Sequence, residues 1–522
     1  MFFDIPVVAF ETEGWGFWER QRPQADTQRY KVDFQVFNKS ELATDFSLNG
    51  AYMFGTDGIA VQKAQIAFNN GIISCRKANL ETAGLALLWP VEGFGKILLP
   101  TTCLPERAQP HILNVEIARA KLMNIINKRE EWSLFGSIER LEPIFKEARS
   151  LFIQAIQNIA DAPLASRLAD ESLKKSIVLA EKLAMRQADS LLKAQIKGRG
   201  FGRRCFGCKI DPRQITNPAY IENLLQLFGF VTVPIRWSRM EPQRGVLNFS
   251  VIDKCISALA KKRLAICLGP LLLFTKDAIP NWLLDGRATF EQVRDAAYRF
   301  ILKIVSRYAG SVHAWRVVSG LNMFNYFGFG FEQVLEMTRV ATMAVKAASS
   351  RSVKIVEVTN PWGEYYAALP HSIPPLVYMD MVVQSGINFD AFGLQMHFGK
   401  NQPGMHIRDM LQVSAVLDYF GGVAKPLYIT GVEVPSAHGH GPRDAQVAGV
   451  WHKPWSQVQQ AQWIEQFFRI ALSKPFVDTV TYSNLADITD STIVDSGLFT
   501  SRLEPKVSFQ TLKKLHEEIC SR

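Results

Sequence analysis

The chain has 522 residues, 48% of them apolar and 21% charged, with a formal charge of +10. That composition is ordinary for a folded globular protein and excludes an intrinsically disordered or collagen-like chain. The length exceeds the ~100–200 residues of a usual domain, so two or three folded units are expected.

The opening segment MFFDIPVVAFETEG carries Asp4 where a secretory leader needs Lys or Arg, and it has no apolar run of leader length. A cytoplasmic location is the expectation that follows. Residues 1–110 then alternate short β-type runs with turn signals, at Val7 to Phe10, Tyr30 to Phe37, Gly50 to Phe54, Ile59 to Phe68, Gly71 to Cys75, Leu85 to Trp89 and Lys96 to Pro100. This spacing predicts a small β-rich domain. Trp15, Phe17 and Trp18 are candidates for a sugar-stacking platform of the kind found on carbohydrate-binding modules, or for its core.

Residues 111–198 switch to helical periodicity, with apolar positions three and four apart and Lys and Glu between them. Two or three amphipathic helices are expected, covering a neighbouring domain or driving homo-oligomer formation. The run Lys197 to Arg204 (KGRGFGRR) is the one dense basic patch. No nucleic-acid motif accompanies it, so it reads as a solvated linker and nucleic acid is not an expected partner. Seven cysteines are spread from Cys75 to Cys520, and the C-x-x-C of Cys205 and Cys208 lacks a second pair. Buried thiols are expected there rather than a metal or redox site.

Residues 203–522 alternate strand-like and helix-like segments eight times. Strands are predicted at Phe206 to Asp211, Val231 to Trp237, Ala265 to Pro270, Ala314 to Val318, Lys354 to Val358, Phe389 to His397, Leu427 to Val434 and Thr479 to Ser483. Helices are predicted between them, for example Phe290 to Ser306, Phe331 to Ala348 and Trp455 to Ser473. The alternation predicts a (β/α)8 TIM barrel, an α/β fold whose active site forms at the C-terminal ends of the strands. The longest apolar stretch, Leu264 to Phe274, is too short to span a bilayer, so no membrane partner is expected.

Several strand ends carry a family likeness. Pro426 to Ser436 (PLYITGVEVPS) and His313 to Asn322 (HAWRVVSGLN) lie over ITELDI-like and WDVVNE-like patterns, and Phe392 to His397 (FGLQMH) over G-x-G-L-Q-S-H. Phe230 to Val246 lies over the NEMKPE region, Pro280 and Trp282 over P-x-W, and Ser496 to Phe509 over the closing G-L-L and P-K-P-A-Y segment. On these matches, spread over about 300 residues in the right order, the chain resembles the glycoside hydrolase family 10 xylanases. The resemblance implies β-1,4-linked xylan- or glucan-like oligosaccharide as partner and no cofactor. It also places the family's nucleophilic Glu on Gly431 and its acid/base Glu on Gly320.

A retaining glycosidase needs two carboxyl groups ~5–5.5 Å apart. Glycine supplies neither, so a non-hydrolytic pseudoenzyme is expected, either binding carbohydrate or serving as a scaffold. The competing expectation is an active glycosidase that uses relocated carboxylates, with Glu433, Glu241, Glu357 and Glu364 as candidates. Glu433 lies ~6.6 Å along the strand from Gly431, too far to replace it, and reads as a supporting acid paired with His397. A third expectation is a purely structural assembly protein. Candidate sugar contacts are Gln395 and His397, implied by the resemblance, and the loop aromatics Trp362, Tyr365, Trp451, Trp455 and Tyr482. The loop histidines His438, His440 and His452 lack a third ligand at set spacing, so no metal is expected.

Overall fold

The computed structural model describes residues 30–132, 139–198, 200–284, 286, 288–423, 425–439, 445–489 and 491–520. Trp15, Phe17, Trp18, His440 and the expected strand Val7 to Phe10 lie outside these residues.

Eight parallel strands close into a barrel: Phe206–Lys209, Phe230–Val233, Ala265–Leu268, Ala314–Ser319, Val353–Thr359, Ala391–His397, Leu427–Glu433 and Val477–Tyr482. Each is rich in apolar or β-branched residues and almost wholly buried, as expected of parallel strands covered by helices. Long outer helices carry their own start signals. Phe290–Tyr308 begins with a capping box in which Thr289 and Gln292 exchange side-chain and backbone bonds. Asp409 opens Met410–Gly421 in the same way. Among the barrel strands the largest difference from expectation is in the second, which ends at Val233, while Trp237–Met240 forms a helical turn instead of continuing it. Pro234 lacks the backbone N–H that a central strand needs, which stops the ladder there.

The barrel interior is built in two halves. Phe230, Ala265, Cys267, Ala314, Ile355, Ala391 and Tyr428, from the strand starts, pack together as an apolar plug. Two-residue periodicity then carries Lys209, Arg316, Glu357, Gln395 and His397 inward toward the C-terminal ends. A register shift between Ile429 and Val432 resets the seventh strand. Gly431 and Glu433 therefore also face in.

Ahead of the barrel lies a β layer of two four-stranded sheets. One has the order Gln65–Asn69, Ile72–Lys77, Tyr30–Gln35, His111–Ile112; the other contains Tyr52–Phe54, Gly84–Val91 and Gly95–Pro100. The second sheet takes its fourth strand, Val450–Trp451, from the loop after the seventh barrel strand. Three helices follow, Leu113–Trp132, Glu142–Gln157 and Ala162–Lys197. The last is capped by Asp161, which accepts from Leu164 N. Its Ala165, Ala169, Leu173, Ile177, Ala180, Ala184 and Ala188 are all buried. This small-residue stripe lets it lie close to its two partner helices and to the barrel helices Met410–Gly421 and Gln457–Ser473.

Polar bonds fix the layer to the barrel. Lys121 Nζ meets Asp409 Oδ2 at 2.7 Å, with both groups buried. Glu181 accepts from Trp451 Nε1 and faces His452 Nε2, each at 2.7 Å. Leu98 N donates to Ile407 O at 2.8 Å. Among the described residues no helix is long and apolar enough to cross a membrane.

Candidate active site

Gly431 lies at the inner end of the seventh strand. A Cβ there would stand 3.0 Å from Ser483 Oγ, 3.4 Å from His397 Nε2 and 3.5 Å from Gln395 Cγ. A side chain growing from this point would enter a polar niche. His397 Nε2 is itself 3.1 Å from Ser483 Oγ. Its other nitrogen, Nδ1, is 3.4 Å from Glu433 Oε1. Burial lowers the His397 pKa against the pull of Glu433, so the imidazole is neutral near pH 7. The expected pairing of Glu433 with His397 is therefore one of a carboxylate facing an uncharged ring. The rest of Glu433 is occupied too: its Oε2 accepts from Asn484 Nδ2 at 2.6 Å and from Ser496 Oγ at 3.0 Å.

Gly320, just after the fourth strand, is in a different state. Its φ is +55°, and it opens a tight turn in which Phe324 N donates to Gly320 O at 2.7 Å. That turn folds the Phe324 ring back over the glycine. A Cβ would fall 2.7 Å from Thr359 Oγ1 and 2.9 Å from Phe324 Cδ2, inside van der Waals contact. The two glycines thus differ: one faces a niche and the other is built over.

Glu357, fully buried on the fifth strand, accepts from Ser319 Oγ at 2.5 Å and pairs with Arg316 Nε at 3.2 Å. Neither the Arg316 Nε nor the Glu357 Oε2 atom of that pair makes a hydrogen bond, so the contact is Coulombic rather than a directed bond. Glu241 accepts from Trp237 Nε1 and Gly245 N, each at 2.7 Å, and lines a separate cavity of about 280 Å³ beside Trp282 and Phe300. Glu364 is clamped by Arg408 and the Gly404 amide, with His406 Nδ1 3.4 Å away. Of the four candidate carboxylates, Glu433 and Glu357 share the barrel mouth, where both act on His397. Glu241 is held by donors of its own loop, and Glu364 by donors of the loop after the sixth strand.

The loop aromatics are rearranged relative to expectation. Tyr365, Trp451, Trp455 and Tyr482 are at most 2% exposed and present no stacking face. Tyr365 bonds Ile373 O at 2.8 Å, Tyr482 bonds Ser496 O at 2.6 Å, and Trp451 is tied to Glu181 beside the β layer. Trp362 is half-buried, with the Arg408 guanidinium 4.1 Å from its ring centroid. It opens onto a groove of about 560 Å³ shared with Tyr52 and Tyr419. Gln395 is half-buried at the mouth. Among the described residues no group of His, Cys, Asp and Glu is arranged to hold a metal.

Sequence reading missed Lys209, Arg316, Ser483, Asn484 and Phe324. Two left a signal: Lys209 in FGCKID and Arg316 in HAWRVVSG are cations inside otherwise apolar strands, on the inward parity. Ser483, Asn484 and Phe324 left none, because an uncharged residue at a strand end or in a loop carries no mark of its partners.

A closed parallel barrel with inward carboxylates, a histidine and a glutamine at its C-terminal mouth has the architecture of barrel glycoside hydrolases. The chain belongs to glycosyl hydrolase family 10, whose family model matches residues 192–515. It is 28% identical over 206 residues to endo-1,4-beta-xylanase C of Phanerodontia chrysosporium, covering 38% of this chain and 50% of that one. Endo-1,4-beta-xylanase C of Paenibacillus barcinonensis is 22% identical over 322 residues, covering 58% and 28%. The chain thus spans about half the length, or less, of these curated relatives. Among solved structures, xylanase 10B of Thermotoga petrophila in complex with xylobiose matches at TM-score 0.47 and 18% identity, covering 63% of this chain and 97% of that one.

Proposed function

We propose that this family 10 barrel binds carbohydrate without cleaving it by double displacement. The observation that carries the reading is the state of the two glycines. The reading sets the family's nucleophile at Gly431 and its acid/base at Gly320, where a Cβ would fall inside van der Waals contact with Thr359 and Phe324. The remaining inward carboxylates are already engaged, Glu433 by Asn484 and Ser496, and Glu357 by Ser319 and Arg316. On this reading those bonds mark both groups as structural acceptors rather than as a proton donor and a nucleophile.

The ligand class we infer is a β-1,4-linked xylo- or gluco-oligosaccharide. Gln395, half-buried at the mouth, offers hydrogen bonds there, and Trp362 offers, toward the groove it shares with Tyr52 and Tyr419, the one partly open ring among the five predicted. Burial of Tyr365, Trp451, Trp455 and Tyr482 confines recognition to this smaller set. Isothermal titration of the full chain with xylohexaose and cellohexaose tests the reading. Binding heat lost in Q395A is expected; no heat with either sugar ends the binding proposal.

A further inference from the structure

Lys209 is the last residue of the first barrel strand, on the inward parity set by Gly207, whose added Cβ would touch Thr481 and Phe230 inside the barrel. Cys208, its predecessor, pairs in register with Tyr482 on the closing eighth strand. One step further along both strands stand Lys209 and Ser483. Ser483 Oγ is the atom nearest to the missing side chain of Gly431. The lysine therefore flanks the niche that the glycine leaves open.

Its surroundings are unusual for a lysine. Arg316, Glu357 and Glu433 all act on it electrostatically. Yet among the described residues its ammonium has no hydrogen bond and no ion pair, and it is not among the solvent-sealed unpaired atoms. The side chain is half-buried, so the nitrogen is desolvated and still reachable from the mouth. Burial lowers its pKa, Arg316 pushes the same way, and Glu433 and Glu357 resist. An amine beside a second cation in a desolvated site is the usual way a lysine is made nucleophilic. The buried ion-paired lysines of this chain differ: Lys121 is held by Asp409 and Lys506 by Asp487, each at 2.7 Å.

We propose that Lys209 is a reactive amine that forms an imine with the carbonyl carbon of a small hydroxylated aldehyde, such as the open-chain form of an aldose. The free amine adds to the carbonyl carbon, and the proton leaves nitrogen for oxygen to give a carbinolamine. Loss of that hydroxyl as water, with one proton taken from solvent, leaves the protonated imine. Glu433 and Glu357 stabilise its positive charge as they stabilise the ammonium now. Ser483 and Gln395 line the same mouth and match hydroxyl groups on the neighbouring carbons. This chemistry needs no acid at position 320 or 431.

The test is reductive trapping. The full chain is incubated with D-glyceraldehyde and sodium cyanoborohydride at neutral pH for a short time, then digested and mapped by mass spectrometry. The expected result is one dominant adduct on Lys209, which disappears in K209M and loses its dominance when the wild-type chain is first unfolded in guanidinium. Because the selectivity is read in the wild-type protein, a poorly folding variant does not obscure the answer. Adducts spread over surface lysines, or an unmodified Lys209, overturn the proposal.

Discussion

Adding a single methyl group at each glycine separates a merely vacant position from one that has been built over. In G320A the new Cβ must sit at φ +55°, where a non-glycine residue costs ~1–2 kcal/mol. It also lands 2.7 Å from Thr359 Oγ1 and 2.9 Å from the Phe324 ring, and relieving such overpacking costs ~1–3 kcal/mol. The expected loss is therefore roughly 2–5 kcal/mol. In G431A the backbone is outside the left-handed region, and the closest contact, 3.0 Å, is to the rotatable Ser483 hydroxyl. Stiffening of the unfolded chain returns ~0.4–1 kcal/mol, so the net change stays within about 1 kcal/mol. Urea unfolding followed by tryptophan fluorescence reads both variants against wild type. A G320A midpoint equal to wild type refutes the reasoning, because Phe324 and Thr359 would then not fill that site.

Other expectations follow from the same geometry. R316M strips the counter-charge from a fully buried Glu357, and leaving such a charge unpaired costs ~3–5 kcal/mol, read as a lowered urea midpoint. The double variant R316M/E357Q recovers most of that loss if the ion pair is its source. Acid should weaken the fold through histidines buried neutral. Burial pushes His406 down to about 4 and also lowers His397, while Arg408 neutralises the nearby Glu364. Unfolded histidine titrates near ~6.5, so between that value and about 4 the His406 site binds more protons in the unfolded chain than in the folded one. Its contribution to stability therefore falls as pH drops through this window, while Asp170, pushed up to about 7 by burial, contributes in the opposite sense. Melting temperatures measured from pH 7 to pH 4.5 should decline more steeply for wild type than for H406Q; parallel profiles contradict the assignment.

The barrel was legible because its signals are periodic and local. Eight apolar strand segments at helix-sized intervals leave few alternatives, and the strand ends FGLQMH and PLYITGVE carry enough fixed spacing to bring Gly431, Gln395 and His397 to one mouth. The rim was not legible. Trp451 reads as a loop aromatic, yet it joins a sheet with Gly95, more than 350 positions away, and bonds Glu181 on a helix of the N-terminal segment. Nothing in its neighbours encodes that long-range pairing. Glu364 was misplaced for the same reason: its partners Arg408 and His406 come from the loop after the next strand, and that loop is anchored by Leu98 in the β layer. Phe324 shows a third limit, since only the turn geometry at Gly320 reveals that its ring closes over the strand end.

Hydrolysis itself is the measurement closest to the central claim. The full chain, at high concentration and over long incubation, is given nitrophenyl β-xylobioside and soluble xylan, and nitrophenol and new reducing ends are counted. No release above the protein-free blank is expected, for wild type and for E433Q and E357Q alike. Release by wild type that vanishes in either carboxylate variant would mean that Glu433 or Glu357 still does acid/base or nucleophilic work, and that the barrel is a working glycosidase.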